Sequence, residues 1–110
     1  MEVEYESAEF KTLLHNERSL KKAYSPAVIK KLRIRLTSIR EATSLEELHR
    51  LPGRTHPLVG DRTGRFAMDL SGSLRLELRP TPPVPQKPDG GIDVASVTRV
   101  TLIEISHHYN

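Results

Sequence analysis

The segment RFAMDLSGSLRLELR, residues 65–79, carries the clearest structural pattern in the chain. Apolar and polar side chains alternate on both sides of a Ser-Gly-Ser segment at 71–73. Alternation with a period of two is the pattern of a half-buried β-strand, and serine and glycine favour a tight turn. The stretch therefore predicts two antiparallel strands, with one face of the pair turned to a hydrophobic core.

Further strands are predicted on both sides of this hairpin. The segment 97–105 is rich in β-branched residues and is expected to form the longest strand. Turn residues at 60–64 predict another strand before them, and residues 3–6 alternate like a short strand. The segment 80–91 contains prolines that cannot donate ladder hydrogen bonds, so it is expected to be a surface loop joining the last two strands.

The first half of the chain predicts helices. Ser7 can cap one helix, and Ser25 with the proline after it starts a second, whose apolar residues recur at three and four to about residue 42. Ser44 and Glu47 form a capping box for a short helical turn that Gly53 helps to close. We therefore predict an α+β fold: an N-terminal strand and a two-helix hairpin packed on a small, mainly antiparallel, twisted sheet.

Composition excludes several classes of protein. The 110 residues suit one domain, 1–110, and the absence of cysteine excludes disulfides, thiolate metal sites and a thiol nucleophile. The five histidines show no i, i+4 pair, so no metal site is expected. No apolar run approaches the ~20 residues of a membrane span, and no export signal is visible, so we expect a cytoplasmic protein without membrane contact.

Basic residues are concentrated in one part of the chain. The net charge is +3, yet every charged side chain between Arg18 and Arg40 is basic. Such a run is either a solvated helix face or a surface for a polyanion or an acidic protein. Aromatic residues are only 5% of the chain, which argues against base stacking and favours contact with backbone phosphates. Lys30 and Arg33 are the expected contacts.

Candidate catalytic residues fall on the predicted sheet. His56 precedes the strands that carry Arg75, and a second group of rings, His107, His108 and Tyr109, follows the last strand. Cleavage of RNA by its own 2′-hydroxyl needs a base, an acid and cations beside the phosphate, and it needs no metal. The alternative is a solvated hairpin in which Arg75 pairs with Glu77.

The chain resembles the HigB-like toxins of the RelE/ParE superfamily over nearly its whole length. Five motifs, in the order found in that family, carry the resemblance: LPGRTHPL at 51–58, GDRTG at 60–64, DLSGSLRL at 69–76, DGGID at 89–93 and IEI at 103–105. The resemblance implies a RelE-like fold and a toxin of a type II toxin-antitoxin pair. Such a toxin is an mRNA endonuclease that acts in the ribosomal A site without a cofactor, and its partner is a helix-turn-helix antitoxin of the HigA type.

The resemblance also implies roles for individual residues. Arg75 would hold the scissile phosphate, and His56 would transfer a proton or orient the phosphate. His108 would take an acid/base role with Tyr109 beside it. Arg62 and Arg65 are secondary phosphate contacts.

The sequence departs from the family at two places, and two other functions stay open. His107-His108-Tyr109 stands where the family commonly ends in Asp-Tyr-His, so imidazole and phenol groups are both still present. Val59 stands where the family has lysine, which removes a cation from the site. The alternatives to a nuclease are a ParE-like inhibitor of DNA gyrase and a catalytically degenerate toxin kept for antitoxin binding and autoregulation.

Overall fold

The computed structural model describes residues 1–107. Its five strands form one sheet in the order β1-β5-β4-β3-β2. The strands are β1 (Glu2–Tyr5), β2 (His56–Pro57), β3 (Phe66–Asp69), β4 (Leu74–Pro80) and β5 (Arg99–His107). The helices are α1 (Ala8–His15), α2 (Glu17–Ala23), α3 (Pro26–Glu41) and α4 (Leu45–Arg50). The predicted α+β class is confirmed.

The hairpin predicted from residues 65–79 is the centre of the sheet. β3 and β4 run antiparallel with Met68 opposite Leu76, and the predicted longest strand, β5, follows β4 on its other side. β2 extends the antiparallel set, while β1 pairs parallel with β5. Four antiparallel strands and one parallel edge strand therefore match the mainly antiparallel sheet expected from the sequence.

One face of the sheet carries the hydrophobic core. Met68, Leu76, Leu78 and Leu102 are fully buried there, and they cluster with buried residues of the helices, namely Leu32, Ile39, Leu45 and Leu48. Each fully buried side chain of this size contributes roughly 1.5–3 kcal/mol relative to an exposed one. Because side chains alternate along a strand, the same strands present their polar residues on the opposite face.

The predicted caps are correct, but the first predicted helix is two helices. Ser7, Ser25 and Ser44 each accept a hydrogen bond from the backbone N–H three residues later. Asn16 divides α1 from α2: its backbone is extended, and its side-chain oxygen accepts a hydrogen bond from the N–H of Ser19. Asparagine side chains compete with helical hydrogen bonds in this way, so α1 ends and α2 begins at Asn16.

The proline-rich segment forms the expected loop between β4 and β5. Pro80 is the exception, because it still belongs to β4 and lies opposite Val100. Among the helices within residues 1–107, none is both long and apolar enough to cross a membrane.

A buried arginine connects α3 to the sheet. The basic run was expected to form a solvated face or a binding surface, but its member Arg35 on α3 is buried. Its Nε donates a hydrogen bond to the backbone carbonyl of Asp69, 2.8 Å away. Gly53 packs directly on this side chain with φ +128°, and a Cβ built on it would lie 2.9 Å from both Cδ and Nε of Arg35. Glycine is thus required at position 53 by backbone conformation and by space.

We predict that Gly53→Ala destabilises the fold by about 3 kcal/mol, because it combines a strained φ with a clash against Arg35. Gly72→Ala is the matched control: Gly72 also has a positive φ, +68°, but a Cβ there meets open space. In the control, the free energy of unfolding should fall by only about 1–2 kcal/mol. Urea unfolding of both variants measures the difference, and equal losses would contradict the packing argument.

Candidate functional site

The candidate site lies on the face of the sheet opposite the core. Residues directly opposite one another in a sheet lie on the same face. His56 is opposite Ala67, which is in turn opposite Glu77. Arg75, two residues before Glu77 on β4, lies between Asp69 and Ser106. Met68 and Leu76, the neighbours of these residues, are buried in the core. Alternation therefore places the imidazole of His56 and the guanidinium of Arg75 on the same face.

His56 and Arg75 line one cavity. It has a volume of about 440 Å³ and is formed by His56, Pro57, Leu58, Val59, Asp61, Arg62 and Arg75. β3 lies between the strands of His56 and Arg75, and its residue at this level is Ala67, which is fully buried. A single methyl group there leaves room for longer side chains to meet above it.

A buried carboxylate, Glu77, organises the arginines of the site. Its side chain is 0% exposed, and it accepts hydrogen bonds from Arg62 at 2.8 Å, from Arg65 at 3.1 Å and from the hydroxyl of Ser106. The Nε of Arg75 lies 3.6 Å from the same carboxylate and donates to Ser106 at 3.1 Å. Three guanidiniums are therefore held around one negative charge.

The environment of Glu77 keeps it ionised. Burial pushes the pKa of this carboxyl up, but hydrogen bonds from Ser106 and Arg65 and the charges of Arg62 and Arg75 outweigh burial and lower the pKa below its ordinary value. The hydrogen bond to Glu77 in turn raises the pKa of Arg65. Ionised at neutral pH, Glu77 fixes the positions of the arginines while cancelling part of their charge.

The imidazole of His56 is held in one tautomer. Its Nδ1 lies 2.7 Å from the backbone carbonyl of Arg54. A carbonyl can only accept a hydrogen bond, so Nδ1 carries the proton and Nε2 of the neutral ring is left as an acceptor. Arg54 itself has φ +52°, and its guanidinium makes two hydrogen bonds to the carboxylate of Asp69, at 2.7 and 3.0 Å. The Arg54–Asp69 pair therefore holds the carbonyl that orients His56.

Arg62 and Arg65, the predicted secondary phosphate contacts, occupy different positions near the cavity. Arg62 lines the cavity, whereas Arg65 is beside it and also donates to Glu104 at 3.2 Å. Val59 lies at the rim with 83% of its surface exposed. The position at which the HigB resemblance predicts a lysine is therefore occupied by an exposed apolar side chain.

Lys30 and Arg33 are not part of this site. Both are on α3 and line a different cavity, which shares none of its lining residues with the first. Arg33 donates a hydrogen bond to Glu17 at 2.7 Å. Their predicted contact with backbone phosphates would therefore take place on a surface separate from His56 and Arg75, and it stays a prediction.

The predicted C-terminal cluster is described only at its first residue. His107 is exposed at the end of β5, opposite Leu74, and alternates with Ser106, so it lies on the other face of the sheet from Arg75. His108 and Tyr109, the predicted acid/base residue and its neighbour, lie outside the described residues. Within residues 1–107, no three histidine, aspartate or glutamate side chains converge as a metal-binding group.

The fold is similar to that of solved bacterial toxins. It matches the YoeB/ParE toxin from Agrobacterium tumefaciens with a TM-score of 0.51 and 14% sequence identity, over 99% of this chain and 100% of that chain. It matches the YoeB dimer from Staphylococcus aureus with a TM-score of 0.51 and 17% identity, over 99% and 98% of the two chains. No protein-family profile and no curated protein matches the sequence. At these identities the likeness establishes a YoeB/ParE-type toxin fold, and the HigB resemblance stays a prediction.

Glu77→Gln is expected to destabilise the protein by about 3 kcal/mol at pH 7, because it leaves three arginines around an uncharged group. Since the folded-state pKa of Glu77 is lowered, its contribution is complete above the ordinary carboxyl pKa of about 4.3 and disappears as pH falls through the lower folded-state value. Unfolding free energies measured from pH 7 to pH 3 should therefore converge for wild type and variant at acid pH.

Glu104→Gln is the control for this series, because Glu104 is half exposed and holds only Arg65. This substitution should lower the free energy of unfolding by less than about 1 kcal/mol at pH 7. A gap between wild type and Glu77→Gln that stays constant down to pH 3 would show that the charge of Glu77 is not the stabilising feature.

Nuclear magnetic resonance can test the tautomer of His56 directly. Two-bond ¹⁵N–¹H spectra of the neutral ring should show a protonated Nδ1 and an unprotonated Nε2. Arg54→Ala removes the anchor on Asp69 and should admit the Nε2–H tautomer, whereas Arg50→Ala, which removes only an exposed pair with Glu46, should leave the spectrum unchanged. A wild-type ring protonated at Nε2 would refute the assignment.

Proposed function

We propose that this protein is the toxin of a type II toxin-antitoxin system and a ribosome-dependent mRNA endonuclease. The observation that supports the proposal is one cavity lined by His56, Arg62 and Arg75, on a sheet whose fold is similar to that of YoeB/ParE-type toxins. The imidazole can serve as the base, and the two guanidiniums as the cations, for attack of a 2′-hydroxyl on the adjacent phosphate.

In the proposed reaction His56 is the base. Its Nε2, left unprotonated by the Nδ1 contact with Arg54, takes the proton of the 2′-hydroxyl. The 2′-oxygen then bonds to phosphorus, the bond from phosphorus to the 5′-oxygen breaks, and the products are a 2′,3′-cyclic phosphate and a 5′-hydroxyl. The proton for the leaving 5′-oxygen is assigned to His108, with Tyr109 beside it, as the family resemblance implies.

Arg75 and Arg62 are proposed to stabilise the charge that develops on the phosphate. Arg75 is the better positioned of the two, because its side chain is only 12% exposed and is held by Ser106 and Glu77. A cation fixed before the substrate arrives does not reorganise during the reaction, and this is the property that makes electrostatic stabilisation effective. Glu77 is therefore a positioning residue.

A non-catalytic function is the second candidate. Two features favour it: Glu77 cancels part of the charge of the arginines, and Val59 places an exposed apolar group at the rim of the cavity. A protein with these features could keep antitoxin binding and autoregulation, or could inhibit DNA gyrase by protein contact, without cutting RNA.

The proposed function also implies a partner, a target and a location in the cell. The partner would be an antitoxin of the helix-turn-helix type, the target would be mRNA on the ribosome, and the protein would act in the cytoplasm. No cofactor is needed for the proposed reaction, because His56, His108 and the arginines supply its groups.

Arg75→Ala is expected to reduce cleavage of a translated message by about 10²-fold or more, because it removes a preorganised charge at the phosphate. Primer extension on translated message measures the cut sites and their rate. Arg50→Ala is the control, since Arg50 is exposed on α4, does not line the cavity, and pairs with Glu46. Circular dichroism of each variant separates loss of activity from loss of fold.

Assays of the wild-type protein and the Arg75→Ala variant distinguish the nuclease from the alternative functions. Inhibition of supercoiling by purified gyrase without any RNA cut would favour the gyrase inhibitor. Absence of both activities, with no growth arrest on expression without an antitoxin, would favour the degenerate toxin. Equal cleavage by wild type and Arg75→Ala would reject the nuclease assignment.

A further inference from the structure

The basic run of the sequence forms a surface on α2 and α3 that the proposed nuclease site does not use. Most of its cations have no acidic partner in the described part of the chain: Arg18, Lys22, Lys30, Lys31 and Arg40. Lys21 and Arg33 share one carboxylate, that of Glu17, at 3.8 and 2.7 Å. Unpaired like charges on neighbouring helices repel one another, so an acidic partner would stabilise this surface.

A groove runs between the two helices within this surface. Its volume is about 570 Å³, larger than that of the cavity at His56. Four apolar or aromatic side chains line it: Tyr24, Pro26, Ile29 and Ile34. Four charged side chains complete the lining: Glu17, Lys21, Lys30 and Arg33. The groove thus combines an apolar floor with a mainly basic rim.

Ile34 is the exposed part of this floor. Its surface is 42% exposed, and Val59 is the other exposed large apolar side chain within residues 1–107. Lys30 and Ile34 are four residues apart and therefore lie on the same face of α3. A ligand that covers Ile34 must also meet the charge of Lys30.

The apolar floor makes a protein helix a more suitable occupant of the groove than RNA. Phosphate backbones are bound by cations and polar groups, and single-stranded bases need exposed aromatic platforms, whereas Tyr24 is the only aromatic residue in this lining and is half-buried. An amphipathic helix fits an elongated apolar groove by inserting side chains spaced three and four residues apart. Acidic residues beside those anchors would face Lys21, Lys30 and Arg33.

A second copy of this chain is the less suitable occupant. Its most acidic segment is the N-terminal strand, and the carboxylates there already have partners within the chain. Glu2 and Glu4 pair with Arg99, and Glu6 pairs with Arg79. Glu2 and Glu4 are also on β1, and Glu6 directly follows it, so this segment could not enter a groove as a helix.

We infer that the groove between α2 and α3 is the docking site for an acidic amphipathic helix of a different protein. Ile34 and the apolar floor receive the apolar anchors of that helix, and Lys30 with Lys21 and Arg33 select its carboxylates. This inference concerns a surface that shares no lining residue with the candidate nuclease site, and it stands whether or not the protein cuts RNA.

A peptide library tests this inference without knowledge of the natural partner. Helices of about 20 residues carry leucine at positions i, i+3 and i+7, and every flanking position is drawn equally from glutamate, glutamine and lysine. Selection on the intact protein should enrich glutamate over lysine. The most enriched peptide is then labelled, and its Kd is measured by fluorescence polarisation.

Two variants in the groove and one control outside it complete the experiment. Lys30→Glu and Ile34→Ser should each weaken the peptide about tenfold or more. Lys87→Glu makes the same charge change on the exposed loop before β5 and should alter Kd by less than about twofold. Circular dichroism checks that all three variants are folded.

Several results would overturn the inference. They are a library without enriched binders, enrichment of lysine, a Kd unaffected by Lys30→Glu and Ile34→Ser, and tighter binding of a labelled single-stranded RNA that Lys30→Glu abolishes. Self-association that Ile34→Ser abolishes, seen by light scattering, would assign the groove to a second copy instead.

Discussion

The carboxylate of Glu77 is the interaction on which the candidate site depends. A fully buried charge is costly in free energy unless its partners compensate it, and here Arg62, Arg65, Arg75 and Ser106 do so together. Because these partners come from three separate segments of the chain, one carboxylate draws the turn before β3, the strand β4 and the end of β5 into one arrangement. The arginines of the candidate site are therefore part of the structure before any substrate arrives.

Asp69 connects the two faces of the sheet. Its backbone carbonyl accepts a hydrogen bond from the buried Arg35 of α3, and its carboxylate holds Arg54 beside His56. Gly53 must be glycine for Arg35 to reach this carbonyl. The position of helix α3 is in this way linked, through one residue of β3, to the backbone carbonyl that fixes the tautomer of His56.

The basic residues of the chain have two different environments. At the sheet face, arginines are held by carboxylates and surround a small cavity, an arrangement that suits a phosphate in a fixed position. On α2 and α3, most cations lack acidic partners in the described residues and border an apolar groove, an arrangement that suits a mobile acidic helix. Net charge alone does not distinguish these environments, because it counts both sets of residues equally.

Local patterns in the sequence determined the elements of this fold. The alternation at 65–79, the serine caps and the proline-rich loop each depend on neighbours in the chain, and each was predicted correctly. The family motifs predicted that His56 and Arg75 share one site. The alternation of β4 did not decide whether Arg75 instead pairs with Glu77. The partners of these side chains came from the folded structure alone: Glu77 holds three arginines, and Arg35 is buried against the backbone of Asp69. Periodicity gives the face on which a side chain lies, whereas its partner depends on residues distant in sequence that packing brings near.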